Sequence, residues 1–197
     1  MNQRLVWIVV AVLALLLLAL LFWPRGEGAG EGAETVGETP PGEMVAPGEE
    51  ALVEVELYFP GEGGQLYVER REVPARELPE ERISAVVEGL LAGPRSTAGL
   101  RPPLPDGVEL RKVYLVADGT VYLDLESAEG EPPPSSGSRR EMLTVYSLVN
   151  SVLRNVPESR RLALLWNGEQ PASFAGHLDT TLPLVADDGL VASGPPR

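Results

Sequence analysis

Val53, Val55, Leu57 and Phe59 alternate with Glu54, Glu56 and Tyr58, a period of two that predicts a half-buried β-strand. Residues 60–64 read as a turn, and the alternation resumes over residues 66–73, so the two runs predict a hairpin. After Pro74 and Pro79, Ile83, Val86, Val87, Leu90 and Leu91 fall on one stripe of a helix. Glu80 and Glu81 sit in its first turn, where carboxylates complement the helix dipole, and Gly93-Pro94 closes it. Residues 108–117 predict a strand, Asp118-Gly119 a tight turn, and Val121, Leu123 and Leu125 the returning strand. A loop with Pro132, Pro133 and Pro134 leads to a second helix. There Ser138 and Glu141 have capping-box spacing, and Met142, Tyr146, Val149, Leu153 and Val156 form the expected core stripe before Pro157 stops it. Leu162, Leu164 and Trp166 predict a last strong strand, ended by Asn167-Gly168, with a weaker strand at residues 177–180.

The order β-β-α-β-β-α-β predicts an α+β fold with two helices packed on one face of a mixed or antiparallel sheet. Met142, Tyr146, Val149 and Leu153 are expected to pack on Val121, Leu123, Leu162 and Leu164, with Trp166 at the edge of that core.

Upstream of this body the pattern changes twice. Residues 5–23, from Leu5 to Trp23, carry no charged or polar side chain. As a helix they rise about 28 Å, close to the hydrocarbon thickness of a bilayer. Trp7, Phe22 and Trp23 mark its ends as interfacial aromatics do. A cleaved secretory signal is the competing reading. The run is longer than an ordinary signal core, and no small-residue pair precedes a cut, so an uncleaved signal anchor is expected. Residues 1–4 then form a short cytoplasmic end and the body lies outside the membrane. Residues 24–50 hold seven Glu, one Arg and many Gly and Pro, a composition that cannot offset its ordering entropy and predicts a disordered linker. The folded domain is expected over residues 51–191, with a flexible tail at 192–197.

Composition removes most classes of chemistry. The 197-residue chain has 16 basic and 29 acidic residues, a net charge of −13, which repels nucleic-acid phosphates. It has no cysteine, hence no disulfide, thiolate zinc site, iron–sulfur cluster or acylated-cysteine anchor, and one histidine cannot build a His-rich metal site. No metal and no cofactor is expected.

Few residues remain as candidates. His177 with Asp179 and a serine could be drawn as a catalytic triad, but no nucleophile elbow accompanies them, and a structural histidine is the expected role. The run GEGG at 61–64 lacks the Lys and Ser/Thr of a phosphate loop and reads as the hairpin turn. Asp106, Asp124 and Asp179 could serve glycoside hydrolysis, against the simpler account of exposed or capped carboxylates. Three arginine pairs, Arg70-Arg71, Arg139-Arg140 and Arg160-Arg161, offer a candidate interaction surface. Two cations in the first turn of a helix oppose its dipole, so Arg139 and Arg140 suggest an anionic partner, against solvated surface charge as the alternative.

The body also resembles the GerMN domain of sporulation and spore-germination proteins. The segments that carry the likeness are LYFPGEGGQLYVERREV (57–73), GLLAGP (89–94), LPDGVELRKVYLVADGTVYLDLES (104–127), LTVYSLVNSVLRNVPESRRLALLWNGE (143–169) and GHLDTTLPL (176–184). The departures are Ser151, where family members often carry Thr, the lengthened loop at Pro132 to Pro134, and the apolar run in place of a lipoprotein anchor. The resemblance implies a non-enzymatic extracytoplasmic domain similar to the ring-building motifs of secretion systems, working in an envelope protein complex at the bacterial plasma membrane. It supplies no catalytic residues. The partners expected are that complex and, through residues 5–23, the lipid bilayer. The identity of the complex and self-association of the chain stay open. The alternative is a peptidoglycan-binding or glycan-acting wall protein using a carboxylate such as Asp124.

Overall fold

A computed structural model describes residues 51–96, 99–127 and 136–194. All of them fall within one compact unit, Pro47–Arg197. The expected cytoplasmic end, the span at 5–23, the linker at 24–50 and the loop at Pro132 to Pro134 lie outside the described residues. Among the described residues no helix is long and apolar enough to cross a membrane.

Strand β1 (Leu52–Pro60) and strand β2 (Leu66–Pro74) pair antiparallel, with Leu57 opposite Glu69. The turn between them uses Gly63 and Gly64 at φ of 83° and 72°, backbone that side-chain-bearing residues rarely adopt. Helix α1 (Pro79–Leu91) starts with Pro79 in its first turn, where the missing N–H costs nothing, and buries Ile83, Val86, Val87 and Leu90 as predicted. Its Gly89 lies against Leu57 of β1, where an added Cβ would come within 3.0 Å of Leu57 Cδ1. Strands β3 (Val108–Leu115) and β4 (Thr120–Ser127) form the second predicted hairpin, with a register shift between Leu110 and Lys112. Helix α2 (Ser138–Asn155) leads into strand β5 (Arg161–Trp166), which pairs parallel to β4. A short 3₁₀ turn, Asp188–Leu190, precedes the end of the chain.

The α+β class and the two helices stand, but the single sheet does not. The strands form two sheets, β1-β2 and β3-β4-β5. One apolar core joins them through both helices, and it contains Leu57, Phe59, Ile83, Leu90, Leu123, Leu148, Leu162 and Leu164. The expected strand at residues 177–180 is a loop with a single bridge, Ser173 to Asp179.

The sheets stay separate because the free edge of β1 is taken by a helix. Ser147, Ser151 and Asn155 recur every four residues and so line one face of α2. Asn155 accepts from Glu56 N at 2.9 Å and donates to Glu56 O at 2.7 Å, as a neighbouring strand would. Ser151 Oγ accepts from Tyr58 N at 2.9 Å, and Ser147 Oγ donates to Tyr58 O. An open strand edge is thereby covered without a further strand.

Burial on α2 follows from this position. Val145, Leu148, Val149, Val152 and Val156 are fully buried, while Met142, Tyr146 and Leu153 of the predicted stripe are half-buried. The expected contact survives in Val149, which shares the core with Val121, Leu123, Leu162, Leu164 and Trp166, and in Tyr146 and Leu153, which pack against that core from half-buried positions. Met142 packs instead in a smaller cluster with Tyr58, Leu66, Leu143 and Leu190. The buried face is wider than the predicted stripe because α2 packs on β1 as well as β5, so small polar residues are buried too. The predicted capping box is not formed either. Gly137 is the N-cap, without a side-chain cap, and Glu141 turns inward.

Two substitutions separate these contributions. Ser151→Ala removes the acceptor of a buried N–H and should cost about 1–3 kcal/mol. Leu148→Ala should cost about 2–5 kcal/mol, and Met142→Ala clearly less than Leu148→Ala. Equilibrium denaturation of each variant measures this order; a loss at Met142 equal to that at Leu148 would contradict the assigned core face.

Candidate functional site

The arginine pairs have different surroundings. Arg70 is exposed and faces Glu56 at 3.2 Å and Glu54 at 3.8 Å on the neighbouring strand. Arg71 is only 7% exposed, which removes it from the expected interaction surface. It donates to Gly89 O at 2.7 Å and Gly93 O at 2.9 Å, pairs with Glu69, and lies 5.7 Å above the Phe59 ring. It clamps the end of α1 to β2, because the last carbonyls of a helix need donors from elsewhere. Arg161 pairs with Asp118 at 2.7 Å and donates to Thr120 Oγ1 at 2.8 Å. Arg160 is exposed, packed on the Gly119 turn, where an added Cβ would meet its Cγ at 2.8 Å. Arg139 donates from Nε to Gly64 O at 2.8 Å and so holds the β1–β2 turn. Arg140 is exposed.

The start of α2 and the β1–β2 turn enclose a groove of about 340 Å³. Its polar rim carries Arg101, Arg139 and Arg140, with Glu62 as its carboxylate, and Pro60, Pro102 and Leu143 give it apolar walls. Position is set by local chemistry on three sides. Arg139 ties the turn to α2, Thr144 donates to Pro103 O at 2.8 Å, and Arg101 N donates to Pro60 O at 2.9 Å. Sequence pairing singled out Arg139 and Arg140. Arg101 was missed, because it is distant in sequence and reaches the groove only through the loop after α1.

The candidate catalytic side chains are structural in their contacts. Asp124 is 2% exposed, bound to Arg111 at 2.6 Å and accepting from Gly168 N at 2.9 Å. That second bond fixes the Asn167-Gly168 turn, where both residues have positive φ, 52° and 86°. Asp179 accepts from Thr181 Oγ1 at 2.6 Å and Thr181 N at 2.9 Å, and these bonds lower its pKa below the usual value. Asp106 is exposed in its turn. His177 sets Nδ1 3.1 Å from Glu141, not from Asp179, and Ser173 bonds Glu141 rather than the imidazole. The drawn triad is therefore not assembled.

Glu141 is the residue that sequence reading misplaced. It is fully buried, and Ser173 Oγ, Ala175 N, His177 N and Leu178 N all donate to its carboxylate at 2.7–3.1 Å. Burial alone pushes its pKa up. The hydrogen bonds from Ala175, Leu178, Ser173 and His177 outweigh it and hold the carboxyl at about 2, from an ordinary 4.5. The signal was present in the spacing. Glu141, Val145, Leu148 and Val152 lie at intervals of four, three and four, so Glu141 continues the true core stripe.

Because the folded carboxyl has the lower pKa, its contribution is complete above pH 4.5 and disappears as pH falls through about 2. Acid titration of stability should show this loss in that window. Glu141→Gln offers an amide where only acceptors fit, so it should lower the melting temperature at pH 7 and flatten the curve below pH 4.5. An unchanged acid limb in the variant would contradict the arrangement.

The comparisons with known proteins agree with the fold. A family model described as Germane, sporulation and spore germination, matches residues 56–172. The tandem GerMN domains of the sporulation protein GerM from Bacillus subtilis match with a TM-score of 0.52 and 18% identity, over 69% of this chain and 46% of that one. This chain thus spans about half of the tandem structure. The first GerMN domain of the same protein gives a TM-score of 0.49 at 19% identity, covering 68% of this chain and 97% of that one. A candidate lipoprotein from Clostridium perfringens gives 0.49 at 18% identity, covering 79% and 100%. No curated protein matches. The match over residues 56–172, more than half of the chain, identifies it as a member of the Germane family, the GerMN-type domains of sporulation and spore germination.

Proposed function

We propose that this chain is a membrane-anchored interaction module on the outer side of a bacterial plasma membrane, acting as a non-catalytic part of an envelope protein complex in sporulation or germination. One observation carries the non-catalytic part. The side chains best suited to chemistry, Asp124, Glu141 and Asp179, each hold backbone of the fold, and Asp124 lies within β4 whereas Asp179 lies in the loop after β5. The anchor rests on the uncharged run at residues 5–23, followed by the acidic spacer at 24–50. The family supports the setting.

Fractionation tests the placement. The full-length chain is expected in membranes after carbonate extraction, and protease added to protoplasts should remove the body. A soluble chain starting beyond residue 23 would overturn the anchor. Incubation with purified peptidoglycan tests the catalytic alternative: no muropeptides should be released. Asp124→Asn should lower the melting temperature, because it alters the buried ligand of Arg111 and Gly168 N. Release of products by the wild type, abolished by Asp124→Asn at a temperature where the variant is folded, would establish an enzyme instead.

A further inference from the structure

Six arginines among the described residues face named carboxylates. Arg70 faces Glu54 and Glu56, Arg71 faces Glu69, Arg82 faces Glu158, Arg111 faces Asp124 and Glu126, Arg154 faces Asp188, and Arg161 faces Asp118. The groove between the β1–β2 turn and the start of α2 is different. Arg101 and Arg140 both line it, both are exposed, and neither makes an ion pair among the described residues. With 29 acidic residues in the chain, two unmatched guanidinium groups in one concavity are a local reversal of a net charge of −13.

We propose that this groove binds an acidic peptide segment of a partner protein, one that presents an apolar side chain beside a carboxylate. The carboxylate is the charge complement of Arg101 and Arg140, whose planar forks suit bidentate contact. The apolar neighbour fits the wall of Pro60, Pro102 and Leu143, of which Leu143 is buried in its cluster and forms the floor. A free phosphate fits less well. It gains nothing from apolar walls, and Glu62 on the rim repels a dianion more than a single carboxylate. Arg139 is a positioning residue here, because its guanidinium is bonded to Gly64 O and keeps the turn against α2. Thr144 is likewise engaged, donating to Pro103 O, and keeps the Pro102 wall in place.

The assignment rests on the interaction-module reading, and its test reads peptide binding, which fractionation does not. The probe is a fluorescent, end-capped peptide of alternating Leu and Glu. Its controls carry Gln for Glu, or Gly for Leu. Binding is followed by anisotropy with the full-length chain in a non-ionic detergent. The Leu-Glu peptide should bind, and both controls should bind at least about tenfold more weakly. Arg101→Ala combined with Arg140→Ala should weaken the parent peptide by a similar factor, with the melting temperature unchanged. Glu62→Gln should strengthen it, a gain that damage to the fold cannot mimic. Equal binding of the Gln peptide, an unaffected Arg double variant, or a weakening by Glu62→Gln would overturn the proposal. Displacement of the peptide by inorganic phosphate at equal concentration would overturn it in favour of a small-anion site.

Discussion

The arrangement depends on how the open edge of β1 is satisfied. A strand paired on one side leaves N–H and C=O groups that must find partners once buried. Here Ser147, Ser151 and Asn155 of α2 supply them for Glu56 and Tyr58. The same helix extends the device outward. Thr144 bonds Pro103 O, Asn150 bonds both N and O of Asp187, and Glu141 gathers the loop of residues 173–178. Each polar side chain is short or carries its polar atoms at a fixed reach, so each specifies a distance between α2 and one irregular segment. Apolar packing alone is non-directional and would not distinguish these placements.

This explains why the domain tolerates so much chain without regular structure. The segment after β5 contains one short 3₁₀ turn, yet Thr180 and Leu190 are buried. It is held by Glu141, by Asn150, by the pairing of Leu184 with Leu162, and by Ala192 N donating to Leu66 O. Phe174 meets Trp166 edge to face at 5.7 Å, closing the core where β5 ends. Loops secured in this way leave the helix start and the hairpin turn free to shape a surface, and that is where Arg101 and Arg140 come together.

Charge is partitioned by the same logic. In a strongly acidic chain a carboxylate is seldom far from a guanidinium, and cross-strand placement brings Arg70 to Glu54 and Glu56 without any special loop. Exposed pairs of this kind contribute little to stability. Arg71 differs because it is buried and satisfies helix-end carbonyls, so its role is in the fold rather than at the surface. Adjacent arginines in sequence thus serve opposite purposes, since neighbours on a strand point to opposite faces.

The sequence by itself determined the elements. Period-two alternation located β1, β2, β4 and β5, period-3.6 spacing located α1, and glycine-bearing turns fixed both hairpins, because these signals arise from bonding and burial within a few residues. The family likeness was also legible, since it lies in the order of those elements. Tertiary structure decided what local pattern cannot encode. It set two sheets instead of one, since only the meeting of α2 with β1 shows that the strand edge is already occupied. It widened the core face of α2 beyond the predicted stripe to Val145, Leu148 and Val152, because a helix lying on two sheets buries more than one stripe. It turned Glu141 from a helix cap into the anchor of a distant loop, and it brought Arg101 beside Arg140. The physical reason is common to all four. A side chain's partner 34 to 99 residues away is chosen by the geometry of closure, and spacing along the chain does not name it.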